Sequence, residues 1–131
     1  MTKTILMDKY PVFSLNIEKT ETTFTNVKEI LDYLESKIEA HPIAKLIATF
    51  NNYEHTEEVS GKDAINEDIK DAQIIIFCFG KQLPNTKILA ARPRSFGVAE
   101  LADSFVIDFL EAPNEQLHTT MEEWAKSIAN K

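Results

Sequence analysis

Six consecutive apolar residues, Ile74, Ile75, Ile76, Phe77, Cys78 and Phe79, run without alternation into Gly80. A half-buried strand alternates apolar and polar side chains, so an unbroken run of this length predicts a strand buried on both faces, stopped by the glycine. It is far shorter than the ~20 residues that cross a bilayer, and no membrane span is expected. The segment should form the central strand of a sheet, and the rest of the chain must be able to cover it.

Three further strands follow from period-two patterning. Phe13, Leu15 and Ile17 alternate with Ser14, Asn16 and Glu18; Leu46, Ala48 and Phe50 share one face of Lys45 to Phe50; Phe105, Ile107 and Phe109 alternate with Val106, Asp108 and Leu110. Helical spacing appears twice. Val27, Ile30, Leu31, Leu34 and Ile38 form one stripe, opened by Asn26 as a cap with Glu29 three residues on, whose side chain is expected to reach back to the Asn26 amide. Leu117, Met121, Trp124, Ala125 and Ile128 form another, starting near Pro113 and Asn114. Asn51, Asn52 and Tyr53 should break or bend the second strand. Glu54 to Asp71 is charged, carries a Ser60-Gly61 turn signal, and predicts a surface excursion with one short helical turn. Asn85 or Thr86 should cap a short helix through Ala91 that Pro93 ends, and Ser95 to Ala102 is expected to be a connection.

These elements predict an α+β domain over residues 1–131: a two-layer sandwich in which a four- or five-stranded mixed or antiparallel sheet carries two long helices on one face. At 131 residues the chain has the size of a single domain that can build its own core. The second face of the sheet is polar on the outer strands and apolar in the middle. The excursion around Tyr53 to Ile69, the segment Leu83 to Phe96, or a second copy of the chain should cover it.

One cysteine makes no intramolecular disulfide, and the N-terminus has no charged start, apolar run and cleavage site, which predicts a cytoplasmic location. The formal net charge of -7 argues against duplex nucleic acid as a partner, because a phosphate backbone rewards clustered Lys and Arg.

His55 after a strand, Phe79-Gly80 closing a buried strand, and Pro84 and Thr86 before a short helix resemble a bacterial domain-of-unknown-function family, number three hundred and two. The likeness spans roughly Thr23 to Leu110. It implies a two-layer fold like that of the TATA-binding protein and implies no activity. The phrases Asn52-Tyr53-Glu54-His55-Thr56, Ile76-Phe77-Cys78-Phe79-Gly80-Lys81 and Arg92-Pro93-Arg94-Ser95 are similar to those of a small group of uncharacterised bacterial proteins. The chain departs from the larger family in passing from Phe105 to Leu110 directly into the Pro113 helix, where a final hairpin is expected.

The clearest chemical feature is a positive island. From Ala72 to Ala99 there is no Asp or Glu, yet Lys81, Lys87, Arg92 and Arg94 lie there, in a chain with 21 acids. Such a segment attracts anions. Helix amides near Asn85 together with Lys81, Lys87, Arg92 and Arg94 point to a phosphate or carboxylate ligand, although no phosphate loop is present. The competing explanation is pairing with acids of the excursion or of a partner subunit. Cys78 is expected to be a small buried hydrophobe, or alternatively a thiol activated by Lys81 or His55. Tyr53 and His55 belong to a polar and aromatic cluster that can line a pocket. His41 is expected at a helix C-terminus and His118 on a surface helix. No ligand spacing predicts zinc, no cofactor is expected, and no catalytic residue is assigned. Three functions follow: a non-enzymatic, homo-oligomeric module binding a small anionic ligand or an acidic protein segment; a small enzyme or redox sensor using Cys78 with His55; or a structural protein that dimerises through an uncovered sheet face.

Overall fold

The computed structural model describes residues 1–131 and contains one six-stranded sheet with every neighbouring pair antiparallel. In chain order the elements are β1 (Thr2–Leu6), β2 (Tyr10–Glu18), α1 (Val27–Ala40), β3 (Lys45–Asn51), α2 (Asn52–Ser60), β4 (Asp71–Cys78), β5 (Arg94–Glu100), β6 (Ser104–Leu110) and α3 (Glu115–Lys126). Single 3-10 turns lie at Lys19–Glu21, Lys62–Ala64 and Thr86–Ala91. The spatial order is β1-β2-β6-β5-β4-β3, so α1 carries the chain across the whole sheet and β6 returns to fill the gap between β5 and β2.

The α+β class and the paired long helices agree with the sequence. All five stripe residues of α1 are buried, as are Met121, Trp124 and Ala125 of α3 with Ile128 just beyond it. Both helices cover one sheet face. Phe77 and Phe79 meet Trp124 with ring centroids 6.0 and 5.4 Å apart, Phe13 meets His118 at 4.3 Å, and the Tyr33 hydroxyl of α1 donates to Ser127 Oγ below α3 at 2.7 Å. The remaining inward residues are Ile17, Ile75, Phe96, Val98, Phe105, Ile107 and Phe109, each buried.

Several details differ from expectation, among them β3, where a bulge between Leu46 and Ala48 turns Leu46 to the helices and Ala48 and Phe50 to the opposite face. The sheet has six strands, not four or five. β1 was hidden because its hairpin turns through Met7 and Asp8 at φ 54° and 58°, a left-handed pair with none of the Asn-Gly chemistry that marks such turns. β5 lies where a connection was expected, because Gly97 interrupts its apolar pattern and its outward residues are small. β4 is second from the edge rather than central: Ile75 and Phe77 face the helices, while Ile74, Ile76 and Cys78 are half-buried on the opposite face. Finally, α2 is a nine-residue helix where a bend and one short turn were expected. The Asn51 side chain, accepting from the Glu54 amide at 2.9 Å, starts a helix rather than merely breaking a strand.

The predicted caps form. Asn26 accepts from the Glu29 amide at 2.9 Å, and the Glu29 carboxylate reaches back to the amide and hydroxyl of Thr25 and, more weakly, to the expected amide of Asn26. These hydrogen bonds, the Thr25 amide first, hold the Glu29 carboxyl below its ordinary pKa. His41 caps the end of α1, its Nδ1 accepting from the amides of Ile43 and Ala44. His118 is not a surface residue: its ring packs on Phe13 and Phe109, and its Nδ1 accepts from the Ala112 amide at 3.2 Å. No helix is long and apolar enough to cross a membrane.

Candidate functional site

The positive island becomes one corner of the molecule. β4 ends at Cys78, the chain passes through Phe79, Gly80 and Lys81, the 3-10 turn Thr86–Ala91 follows, and Arg92-Pro93 leads into β5. Asn85 caps the turn by accepting from the Ile88 amide at 3.1 Å. The strand reversal brings Arg92 back over the end of β4. Its Nη1 donates to the Gln82 carbonyl at 2.8 Å and lies 2.7 Å from the point a side chain on Gly80 would occupy. A side chain at Gly80 would push the end of Arg92 aside, and the Gly80 amide donates to Cys78 Sγ at 3.1 Å.

Two cavities share the Arg92 side chain. On the helix-covered side, a cavity of about 330 Å³ is lined by Phe79, Ile88, Ala91, Arg92, Arg94, Pro113, Asn114 and Leu117. Two arginine side chains thus share a lining with an apolar wall and the residue that caps α3, with no carboxylate on it. On the other side, a wider hollow of about 590 Å³ is bounded by Ile47, Cys78, Lys81, Leu83, Leu89 and Arg92, among others, again without an acid.

None of the molecule's five ion pairs uses Lys81, Lys87, Arg92 or Arg94. No acid of the Glu54 to Asp71 excursion lines either island cavity; Asp68 lies instead near the opposite end of the sheet, beside Lys70, Asp103 and Ser104. Arg94 is the most constrained of the four. One terminal nitrogen donates to the Leu110 carbonyl, its Nε is sealed from solvent without an acceptor, and burial pushes its guanidinium pKa down. A cation held partly out of water without a counter-charge favours an anion that can reach it.

The other predicted residues scatter. Tyr53 lines a separate polar cavity with Lys62, Asp63, Ile65, Asn66 and Ile69, among others. His55 packs its ring on Phe50, 5.3 Å away, at the far end of β3. Cys78 pairs with Lys45 at the other end of that strand, so five residues of strand, roughly 17 Å, separate the thiol from the histidine's end of the sheet. Lys87 lines neither of the two island cavities. Sequence reasoning missed the contribution of Phe79, Asn114 and Leu117, because it needs the β6-to-α3 connection to lie beside the island. No three His, Cys, Asp or Glu side chains gather where they could hold a metal.

A family of unknown function, DUF6858, matches residues 1–130. The chain belongs to this family. The expectation of an uncharacterised family therefore stands, while the family number suggested by its motifs is not the one that matches. No curated protein and no solved structure matches the chain.

Proposed function

We propose that this DUF6858 protein is a non-enzymatic binding module for a small organic anion, whose acid group sits between Arg92 and Arg94 and whose apolar body lies against Phe79, Ile88 and Leu117. The carrying observation is that both arginines line one cavity without an acid on its wall and without an ion pair elsewhere. The apolar wall favours a carboxylate on a hydrocarbon or aromatic frame over free phosphate, since the frame adds about 25 cal/mol for each Å² of apolar surface it buries. Lys81 and Lys87 contribute to the local positive field that draws an anion to an otherwise negative molecule.

Titration calorimetry with benzoate, hexanoate and inorganic phosphate tests this. The expected result is binding of one or both organic acids that is lost in the Arg92→Ala, Arg94→Ala double variant. Equal heats for wild type and double variant would remove the proposal.

One observation favours a second reading, a redox-sensitive thiol. Cys78 Sγ and Arg92 Nη1 lie 3.1 and 2.7 Å from a single point beside Gly80, hence at most about 6 Å apart, so the guanidinium can hold an anionic reagent beside the sulfur. Rapid alkylation of the folded protein, slowed in Arg92→Ala, is expected on this reading. A thiol that reacts only after denaturation excludes it.

A further inference from the structure

The sheet face turned away from α1 and α3 is covered by neither. Strand register places Phe50, Ile74, Gly97, Asp108 and Ser14 in one row across it, and Ala48, Ile76 and Ser95 in the next. Phe50 is 43% exposed and Leu110 is 47% exposed, and Ser95, on an interior strand, is exposed too. The single helix on the β3–β4 connection, α2, buries no residue of its own; it packs beside β4 and sets His55 against Phe50 at one edge of this face, leaving β5, β6 and β2 uncovered by any helix.

We infer that this face is the interface for a second copy of the chain, packed sheet on sheet. Area supports that occupant. Six strands about 4.8 Å apart, overlapping over five to seven residues of about 3.3 Å, present about 500 Å² per copy. Two copies would bury about 1,000 Å² before rim side chains are counted, the lower bound for a specific interface. Charge supports it as well. A molecule of net charge -7 repels its own copy over most of its surface, whereas the middle of this face carries one charge, Asp108, whose carboxylate accepts from the Ser14 hydroxyl. Depletion of charge marks the core of protein interfaces, and here each copy brings a single central carboxylate, Asp108, while its other charges lie at the rims. The small residues Gly97, Ala99 and Ala48 leave the centre flat, and a side chain added at Gly97 would meet nothing closer than 3.7 Å within its own chain. Nucleic acid is a poor occupant of a face without a basic cluster.

Sedimentation velocity in buffer free of organic acids, over a hundredfold concentration range, tests this independently of the anion site. Wild type is expected at twice the 14.9 kDa chain mass, shifting toward the monomer on dilution. Ile76→Lys is expected to be monomeric at every concentration. Should it fail to fold, as judged by circular dichroism, Ser95→Lys decides, because that position is already exposed and loses no packing. A wild type that is monomeric throughout, or a dimer that folded Ile76→Lys or Ser95→Lys leaves intact, would overturn the inference.

Discussion

Replacing Arg94 with methionine separates a residue kept for a ligand from one kept for the framework. In the free protein the guanidinium gains one charged hydrogen bond, to the Leu110 carbonyl, a contribution of about 1.5–3 kcal/mol. Against this stands the buried Nε with no acceptor, which costs about 1–3 kcal/mol. Methionine keeps most of the aliphatic stem and removes both effects, and the freed carbonyl belongs to an exposed residue that water can reach. Taken near the middle of both ranges the two effects nearly cancel, and the net change should lie within about 1 kcal/mol of zero. For a domain of this size that is a shift of about 3–5 °C in the unfolding midpoint. Urea unfolding followed by the single tryptophan, Trp124, which is 9% exposed, reads it directly. Benzoate at about 100 times its dissociation constant should then add about 2.7 kcal/mol to wild type and nothing to Arg94→Met. A loss above about 3 kcal/mol in benzoate-free buffer, the range of core truncations, would make Arg94 a framework residue and refute the reasoning.

Other consequences are local. Phe77→Ala removes a fully buried ring stacked against Phe96 and tilted on Trp124, and should cost about 3–5 kcal/mol in chemical denaturation. Gly80→Ala should change stability by less than about 1 kcal/mol, since the first atom it meets is the mobile end of Arg92, yet weaken benzoate binding by displacing that end. Glu29 has a folded pKa below its unfolded one, so its contribution is present above the unfolded value and is lost as pH falls through the folded value; Glu29→Gln should flatten that part of the acid-unfolding profile.

The two helices, their caps and strands β2 and β6 were legible because each records one-sided burial in its own residues; β4 showed as an unbroken apolar run, and β3 was found although a bulge between Leu46 and Ala48 puts Leu46 and Phe50 on opposite faces. The two missed strands lack such a record: β1 is an edge strand exposed along its length, and β5 shows bulk only at Phe96 and Val98. The misplacement of β4 has a physical cause, since an unbroken apolar run looks the same whether its second face is covered by its own chain or left half-open. At the site, the lack of acids was visible in sequence, and so were the four bases. Which bases share a cavity was not, because Arg92 and Arg94 are joined by Phe79, Asn114 and Leu117 only after β4, β5 and α3 converge. The distance between Cys78 and His55 is likewise a matter of strand direction, which residue order alone does not reveal.

The most direct test of the central claim is amide chemical-shift mapping of the folded protein titrated with benzoate. Saturable shifts are expected at Phe79, Ile88, Ala91, Arg92, Arg94 and Leu117, with their loss in Arg94→Met. Shifts centred on Tyr53 and Lys62, or no saturable shifts anywhere, would contradict it.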